Sequence, residues 1–420
     1  DALARAAAGA VVLRRPFVDL DVSAWLAAGL GDELDRQLRE GDTALEAALG
    51  QRLTPRIWVA DGPLSDAAVA WLESRGFDRL VIPTGALAEA AATNEARLFR
   101  LGAERPTLAA PLDLAISDRL AAEAGDEPVL ASAHALAELA LVHNTDPRRP
   151  RAAVLRLPPA PSPALLSALG EGLSGGPVRV VELTELFAAA SPAPAAGEQG
   201  APPVRRFAGA PPAPDLDYAA RLAVARAHVE SFVGAATDDP VAAALRRDVL
   251  SSGADTLDPA QRRALLDGVY DAIQQRLSVV EWEERHSVTL TSRQGSIPVT
   301  LLNRGERPLR ARLGTESRQL KLASTAQELT LPPGPTDVEL AVTAPGPGRY
   351  ELRLSVTTPD GRLPLAADSV IDVRSTAISG VGLLLSAGAA VFLAVWWGRN
   401  IRASRRNRRL IDPAALPGQG

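Results

Sequence analysis

The spacing of apolar positions changes character three times along this chain. From the start to about Phe187, short apolar runs bounded by Gly, Pro or Asp alternate with stretches of helical period. The runs Val11–Val18, Arg56–Ala60, Arg79–Pro83, Pro128–Ser132, Arg151–Leu157 and Val178–Leu183 predict buried strands, with a weaker one at Pro106–Pro111. Helical spacing predicts helices over Ser23–Leu49, Ser65–Arg75, Leu114–Ala124, His134–His143 and Pro163–Leu173. Strands alternating with helices of this length predict βα units and a parallel sheet. About seven such units make residues 1–190 a seven-stranded, βα-barrel-like domain of the deacetylase or glycosidase kind.

Residues 191–214 lose the periodic signal and become Pro- and Ala-rich, which predicts a semi-extended linker. Helical spacing returns over 215–282, with Asp258-Pro259 marking one helix start, so three helices are expected as a connector. Over 287–374 the period drops to two. SVTLTS, IPVTLLN, LRARLGT, DVELAVTA and RYELRLSVTT read as strands separated by turns such as Pro359-Asp360-Gly361. Seven or eight such strands predict an immunoglobulin-like β-sandwich. Residues 378–397 then carry no charge and end in Trp396 and Trp397. At 1.5 Å per residue this run would reach about 30 Å, so a C-terminal transmembrane helix is expected. The whole is multidomain α/β plus β.

The arginines Arg399, Arg402, Arg405, Arg406, Arg408 and Arg409 crowd the basic tail, 398–420. By the positive-inside rule that end is cytoplasmic and anionic headgroups are its partners. The expected location is the cell membrane, single-pass, with the N-terminal bulk extracytoplasmic. Gly382, Ser386, Ala390 and Ala394 recur every four residues, the spacing on which membrane helices approach closely. Chance recurrence in an Ala-rich chain is the other reading.

Net charge is −5, and without the tail 39 basic residues face 49 acidic ones, near −10. That argues against a nucleic-acid surface. With no cysteine, disulfides and cysteine-ligated zinc are excluded. The chain opens DALARAAAGA, without methionine or a signal peptide, so an export signal is expected in sequence before residue 1.

Chemistry on a barrel would need carboxylates at strand ends. The candidates are Asp19 and Asp21, on one face of an extended FVDLDV, and Asp61 in VADGPLSD. Helix capping by Asp21 and a turn at Asp61-Gly62 are the competing readings. A deacetylase metal also needs histidines four apart, whereas His134 and His143 are nine apart. No metal or cofactor site is expected. Trp25, Trp58 and Trp71 could stack on a sugar, or pack in the core.

The segments ADGPLSDAAVAWLESRGFDRLVIP, HALAELALVHNTDPRRPRAAVLRLPP and SVTLTSRQGSIPVTLLNRGERPLRARL, together with STAISGVGLLLSAGAAVFLAVWWGRNIR, carry a resemblance. Most of the chain resembles the actinobacterial membrane-anchored cell-envelope proteins of unknown function that are typically encoded beside the MurJ-type lipid II flippase. The resemblance implies further N-terminal sequence and a link to peptidoglycan-precursor export, and it gives no active residues to carry over. Together these readings lead to a non-catalytic envelope protein, scaffolding or regulating precursor export or wall assembly. Its partners are the bilayer, an integral membrane protein such as that flippase, and a possible glycan ligand. A glycoside hydrolase or polysaccharide deacetylase acting on envelope glycans is the alternative.

Overall fold

The computed structural model describes residues 2–7, 10–51, 53, 56–87, 98–101, 107–145, 152–176, 178–189, 204–208, 213–283, 287–376 and 380–407. The chain divides into two compact units. One comprises Asp1–Ala225 with Leu245–Gly268, and the other Arg226–Ala244 with Val269–Gly420.

The first unit begins with helices α1 (Ala2–Ala7), α2 (Val22–Ala27) and α3 (Gly31–Leu49). Then follow β1 (Ile57–Val59), α4 (Asp66–Ser74), β2 (Arg79–Pro83), β3 (Phe99–Leu101) and β4 (Leu108–Leu112). Helices α5 (Leu114–Glu123), α6 (Pro128–Thr145), α7 (Pro163–Ser174) and α8 (Leu183–Ala189) precede β5 (Val204–Arg205). Several helix starts are capped as the sequence suggests. Ser65 Oγ accepts from Ala68 N at 3.1 Å, and Ser162 Oγ accepts from Leu165 N at 3.2 Å, ahead of Pro163.

The sheet runs β1-β2-β4-β3-β5. β1, β2 and β4 are mutually parallel, β3 is antiparallel to β4, and β5 is parallel to β3. Among the described residues the sheet is open, with β1 and β5 at its edges, so the barrel expectation is corrected. Four expected strands are missing. Pro128–Ser132 opens α6, because the Ala- and Leu-rich run that follows it continues as helix through Thr145. Of Arg151–Leu157, Val154 makes only a bridge to Leu112. Val11–Val18 and Val178–Leu183 form no strand of the sheet. One core packs Ile57, Val81, Leu108, Ala110 and Leu112 with Phe187 from α8. A second packs Ile116, Leu120, Ala131, Ala135, Leu165 and Leu169 among α5, α6 and α7.

Helices α9 (Leu216–Ala235), α10 (Val241–Ser251) and α11 (Pro259–Leu277) are the three expected over 215–282. Asp258 accepts from Gln261 N at 2.9 Å while Gln261 Oε1 accepts from Asp258 N at 2.9 Å, a reciprocal cap that starts α11.

The second unit holds β6 (Val280–Trp282), β7 (Ser287–Leu290), β8 (Gln294–Asn303), β9 (Leu309–Glu316), β10 (Lys321–Leu322), β11 (Ala326–Leu331), β12 (Gly334–Thr343), β13 (Gly348–Thr357) and β14 (Pro364–Ser375). They form one sheet of order β10-β12-β8-β6 and another of order β11-β9-β13-β14-β7. Alternation buries one side of each strand: Ile297, Val299 and Leu301 on β8, Val338, Leu340 and Val342 on β12, Leu352, Leu354 and Val356 on β13. This is the immunoglobulin-like sandwich that the two-residue period predicts. Within this unit, the hydroxyls of Ser231 on α9 and Thr358 after β13 both donate to Asp360 Oδ1, at 2.7 and 2.6 Å. Burial alone would raise the Asp360 pKa, but these bonds, the Arg362 amide and the Arg362 charge outweigh it and hold the carboxyl below its ordinary value.

The last helix, α12, runs Gly380–Asn407. Among the described residues no helix is long and apolar enough to cross a membrane, so the transmembrane expectation over 378–397 is corrected. Residues 377–379 and the side chains of 380–384 lie outside the described set.

Candidate functional site

The segment before α2 is pinned at both ends. Phe17 N donates to the Gln37 carbonyl at 2.9 Å, and Gln37 Nε2 donates to the Leu250 carbonyl at 2.8 Å. Gly41 on α3 lets the strap lie against the helix, since a Cβ there would overlap Arg15 O and sit 2.8 Å from Pro16 C. Farther along, Asp255 N donates to the Asp19 carbonyl at 2.9 Å. The strap therefore runs past the end of β1, where Ala60 and Asp61 leave the sheet.

Between them lies a cavity of about 190 Å³, with Arg15, Asp21, Trp58, Asp61, Leu64 and Asp255 in its lining. Asp21 and Asp61, two of the three carboxylates singled out in the sequence, line it, and Asp19 joins Asp61 through Arg15; each of the three accepts a hydrogen bond. Arg15 reaches Asp19 at 2.7 Å and Asp61 at 3.0 Å. Arg156 reaches the other Asp61 oxygen at 3.2 Å. Asp21 accepts from Ala24 N at 2.8 Å and is the N-cap of α2. Burial works against the Arg15 charge, but Asp19 and Asp61 overcome it and raise its pKa. A carboxylate paired with a guanidinium has part of its charge offset, which makes it a weaker base or nucleophile.

The remaining candidates are dispersed. His134 Nδ1 lies 2.8 Å from Glu123, whereas His143 sits at the far end of α6. Among the described residues no group of three or more His, Asp or Glu side chains is arranged to hold a metal. Trp25, Trp58 and Trp71 are 5, 5 and 8 % exposed, so they are core residues and form no stacking platform. Trp58 packs edge-on against Phe77 at 5.3 Å, and Arg75 lies over Trp71 at 4.8 Å.

On α12, Ser386, Ala390 and Ala394 recur along the helix and are exposed, as is Arg399. Gly382, Arg402, Arg405 and Arg406 belong to α12, but their surroundings lie outside the described residues, as do Arg408 and Arg409 entirely.

Sequence reading missed Arg15, Arg156 and Asp255. The Arg15/Asp19 spacing of four was a usable signal for the first. Nothing local could have brought Asp255 to Asp19.

A family model described as a family of unknown function, DUF6049, matches residues 33–415. No curated protein matches the chain. Among solved structures, the chain is similar to the ASH/PapD-like domain 7 of human CEP192, with 12 % identity over 24 % of this chain and 87 % of that one, at a TM-score of 0.19. It is also similar to WR4, a C. elegans MSP family member, with 6 % identity over 21 % and 92 % and a TM-score of 0.17. A third is SSP-19, an MSP-domain-like protein of Caenorhabditis elegans, with 19 % identity over 22 % and 94 % and a TM-score of 0.17.

Proposed function

The chain belongs to DUF6049, a family of unknown function, so its role must be argued from its own geometry, and we propose that it is a non-catalytic, membrane-associated envelope protein. It scaffolds or regulates the export of wall precursors or the assembly of the wall through protein partners, with the MurJ-type lipid II flippase as the candidate partner. One observation carries the non-catalytic part: Asp19 and Asp61 are committed to arginine and Asp21 to a helix cap. The location draws on α12, where Leu385, Phe392, Leu393, Trp396 and Trp397 are all more than half exposed. A contiguous exposed apolar surface of this kind, followed by Arg399, suits a bilayer or a membrane protein. The rival reading, an enzyme acting on envelope glycans, is favoured only by the cavity beside Asp61.

The test uses the purified full chain on peptidoglycan and α-glucans. The expected result is release of neither acetate nor reducing ends. Turnover that disappears in Asp19→Asn, Asp21→Asn or Asp61→Asn would promote the rival. In intact cells, a cysteine at Ser292 should react with a membrane-impermeant thiol reagent, and protection at that site would refute the extracytoplasmic placement. Affinity purification from native membranes should bring down the flippase, and its absence would remove it as the partner.

A further inference from the structure

The outer face of the five-stranded sheet carries an arrangement that a sheet ordinarily avoids. Arg349 on β13 stands directly opposite Arg374 on β14, and one row inward Glu351 stands directly opposite Asp372. All four side chains are exposed. Like charges placed directly opposite on one face repel, with Cβ atoms only about 5 Å apart. Among the described residues none of the four makes an ion pair. Along each strand the carboxylate row lies two residues from the arginine row, about 6.6 Å away. Elsewhere on the same face opposite charges are matched, as Arg353 faces Glu316 and Arg312 faces Glu328.

The arginine row extends to β7, where Thr289 is the register partner of Arg374 and is also exposed. Two guanidinium forks and a hydroxyl thus stand in line across three strands. That set offers several N–H donors and one O–H donor to a single tetrahedral oxyanion. The row occupies the end of the face where β13 begins and β14 finishes. From Arg374 the chain has six residues to reach Gly380 at the start of α12, at most about 21 Å.

We propose that Arg349, Arg374 and Thr289 form a phosphate-binding row on the end of the sandwich that leads into α12. The bound phosphate offsets the repulsion between the two arginines, and the Glu351–Asp372 row bounds the site on its inner side. A lipid headgroup and free phosphate share this chemistry. The headgroup source rests on the membrane association proposed above, whereas phosphate binding itself does not.

The experiment takes the purified full chain and three variants: Arg349→Gln, Arg374→Gln and the pair combined, with Arg353→Gln as control. Binding is measured to phosphatidylcholine vesicles, to vesicles containing phosphatidylglycerol, and by calorimetric titration with inorganic phosphate. Wild type should prefer anionic vesicles, and the double variant should lose roughly 10- to 30-fold in partition while the control does not. Loss of vesicle preference without a phosphate heat identifies a headgroup site. A phosphate heat that disappears in the double variant, with vesicle binding unchanged, identifies a free-phosphate site. Variants indistinguishable from wild type in both arms overturn the proposal. Wild type that binds neutral and anionic vesicles equally, with no phosphate heat, overturns it while leaving membrane association standing. Wild type that binds no vesicle refutes membrane association, and the phosphate arm then decides the row alone. Folding is controlled by melting temperature, which should hold or rise in Arg374→Gln because a like-charge pair has been relieved.

Discussion

Replacing Gly41 by alanine separates two effects that usually point in opposite directions. In mid-helix the exchange normally stabilises by about 0.5–1 kcal/mol, because glycine loses more backbone entropy on folding. On α3 the new Cβ would overlap Arg15 O and lie 2.8 and 2.9 Å from Pro16 C and Phe17 N. These are backbone atoms and cannot swing aside like the end of a side chain, so the strap or the helix must move. Overpacking of this kind costs about 1–3 kcal/mol. The Phe17–Gln37 backbone bond at 2.9 Å would stretch, costing about 1 kcal/mol more. The half-buried Arg14–Asp42 pair at 2.7 Å joins the same strap to α3 and adds at most a fraction of that. After subtracting the propensity gain, the net loss is about 2–3 kcal/mol, or roughly 5–10 °C in melting temperature for a unit of this size. Thermal unfolding of the full chain measures it. The control is Gly268→Ala on α11, where a Cβ meets nothing within 4 Å, and which should gain about 0.5–1 kcal/mol. If both substitutions stabilise equally, the strap is not seated on α3 as described, and the positioning of Arg15 falls with it.

Two further outcomes follow from the capping and hydroxyl contacts. Asp21→Ala should cost about 1 kcal/mol through loss of the α2 cap, whereas Asp21→Asn, which retains the acceptor, should melt within about 1 °C of wild type. Asp360 has a depressed pKa when folded, so its stabilisation is present above the ordinary aspartate value, about 3.9, and is lost as pH falls through the folded value. The stability gap between wild type and Asp360→Asn should therefore be widest above pH 4 and shrink below it in acid-titrated melting curves. A gap independent of pH would mean that the Ser231 and Thr358 hydroxyls do not stabilise the charged form.

Legibility in the sequence tracked how local each signal was. The sandwich was readable because a period of two, broken by Pro-Gly turns, admits no other element. The three helices of 215–282 were readable from helical spacing and from caps such as Asp258. The first 190 residues misled because short apolar runs have no period of their own. Pro128–Ser132 and Arg79–Pro83 look alike in isolation, yet only the second is a strand. The difference lies downstream, where Ala and Leu continue for a further turn and more after Ser132, while Thr84-Gly85 stops the other run. At the C-terminus, the uncharged run 378–397 predicts a span, yet among the described residues no helix is long and apolar enough to cross a membrane.

The candidate site shows a different limit. Sequence reading makes Asp19, Asp21 and Asp61 strand-end acids, and the fold places Asp21 and Asp61 in the lining of one cavity, with Asp19 joined to Asp61 through Arg15. Their role, however, depends on a cation that the same reading passed over. Arg15 stands four residues before Asp19 and 46 before Asp61, and it changes both from reagents into partners of an ion pair. A carboxylate in a sequence is therefore only half of a statement about chemistry. The other half is whether the fold leaves its oxygens open. Here Arg15 and Arg156 already pair with Asp19 and Asp61, whereas on the sandwich face Arg349 and Arg374 are set side by side and neither makes an ion pair among the described residues. Acids paired with arginine argue for structure, and arginines set facing each other argue for an anionic ligand.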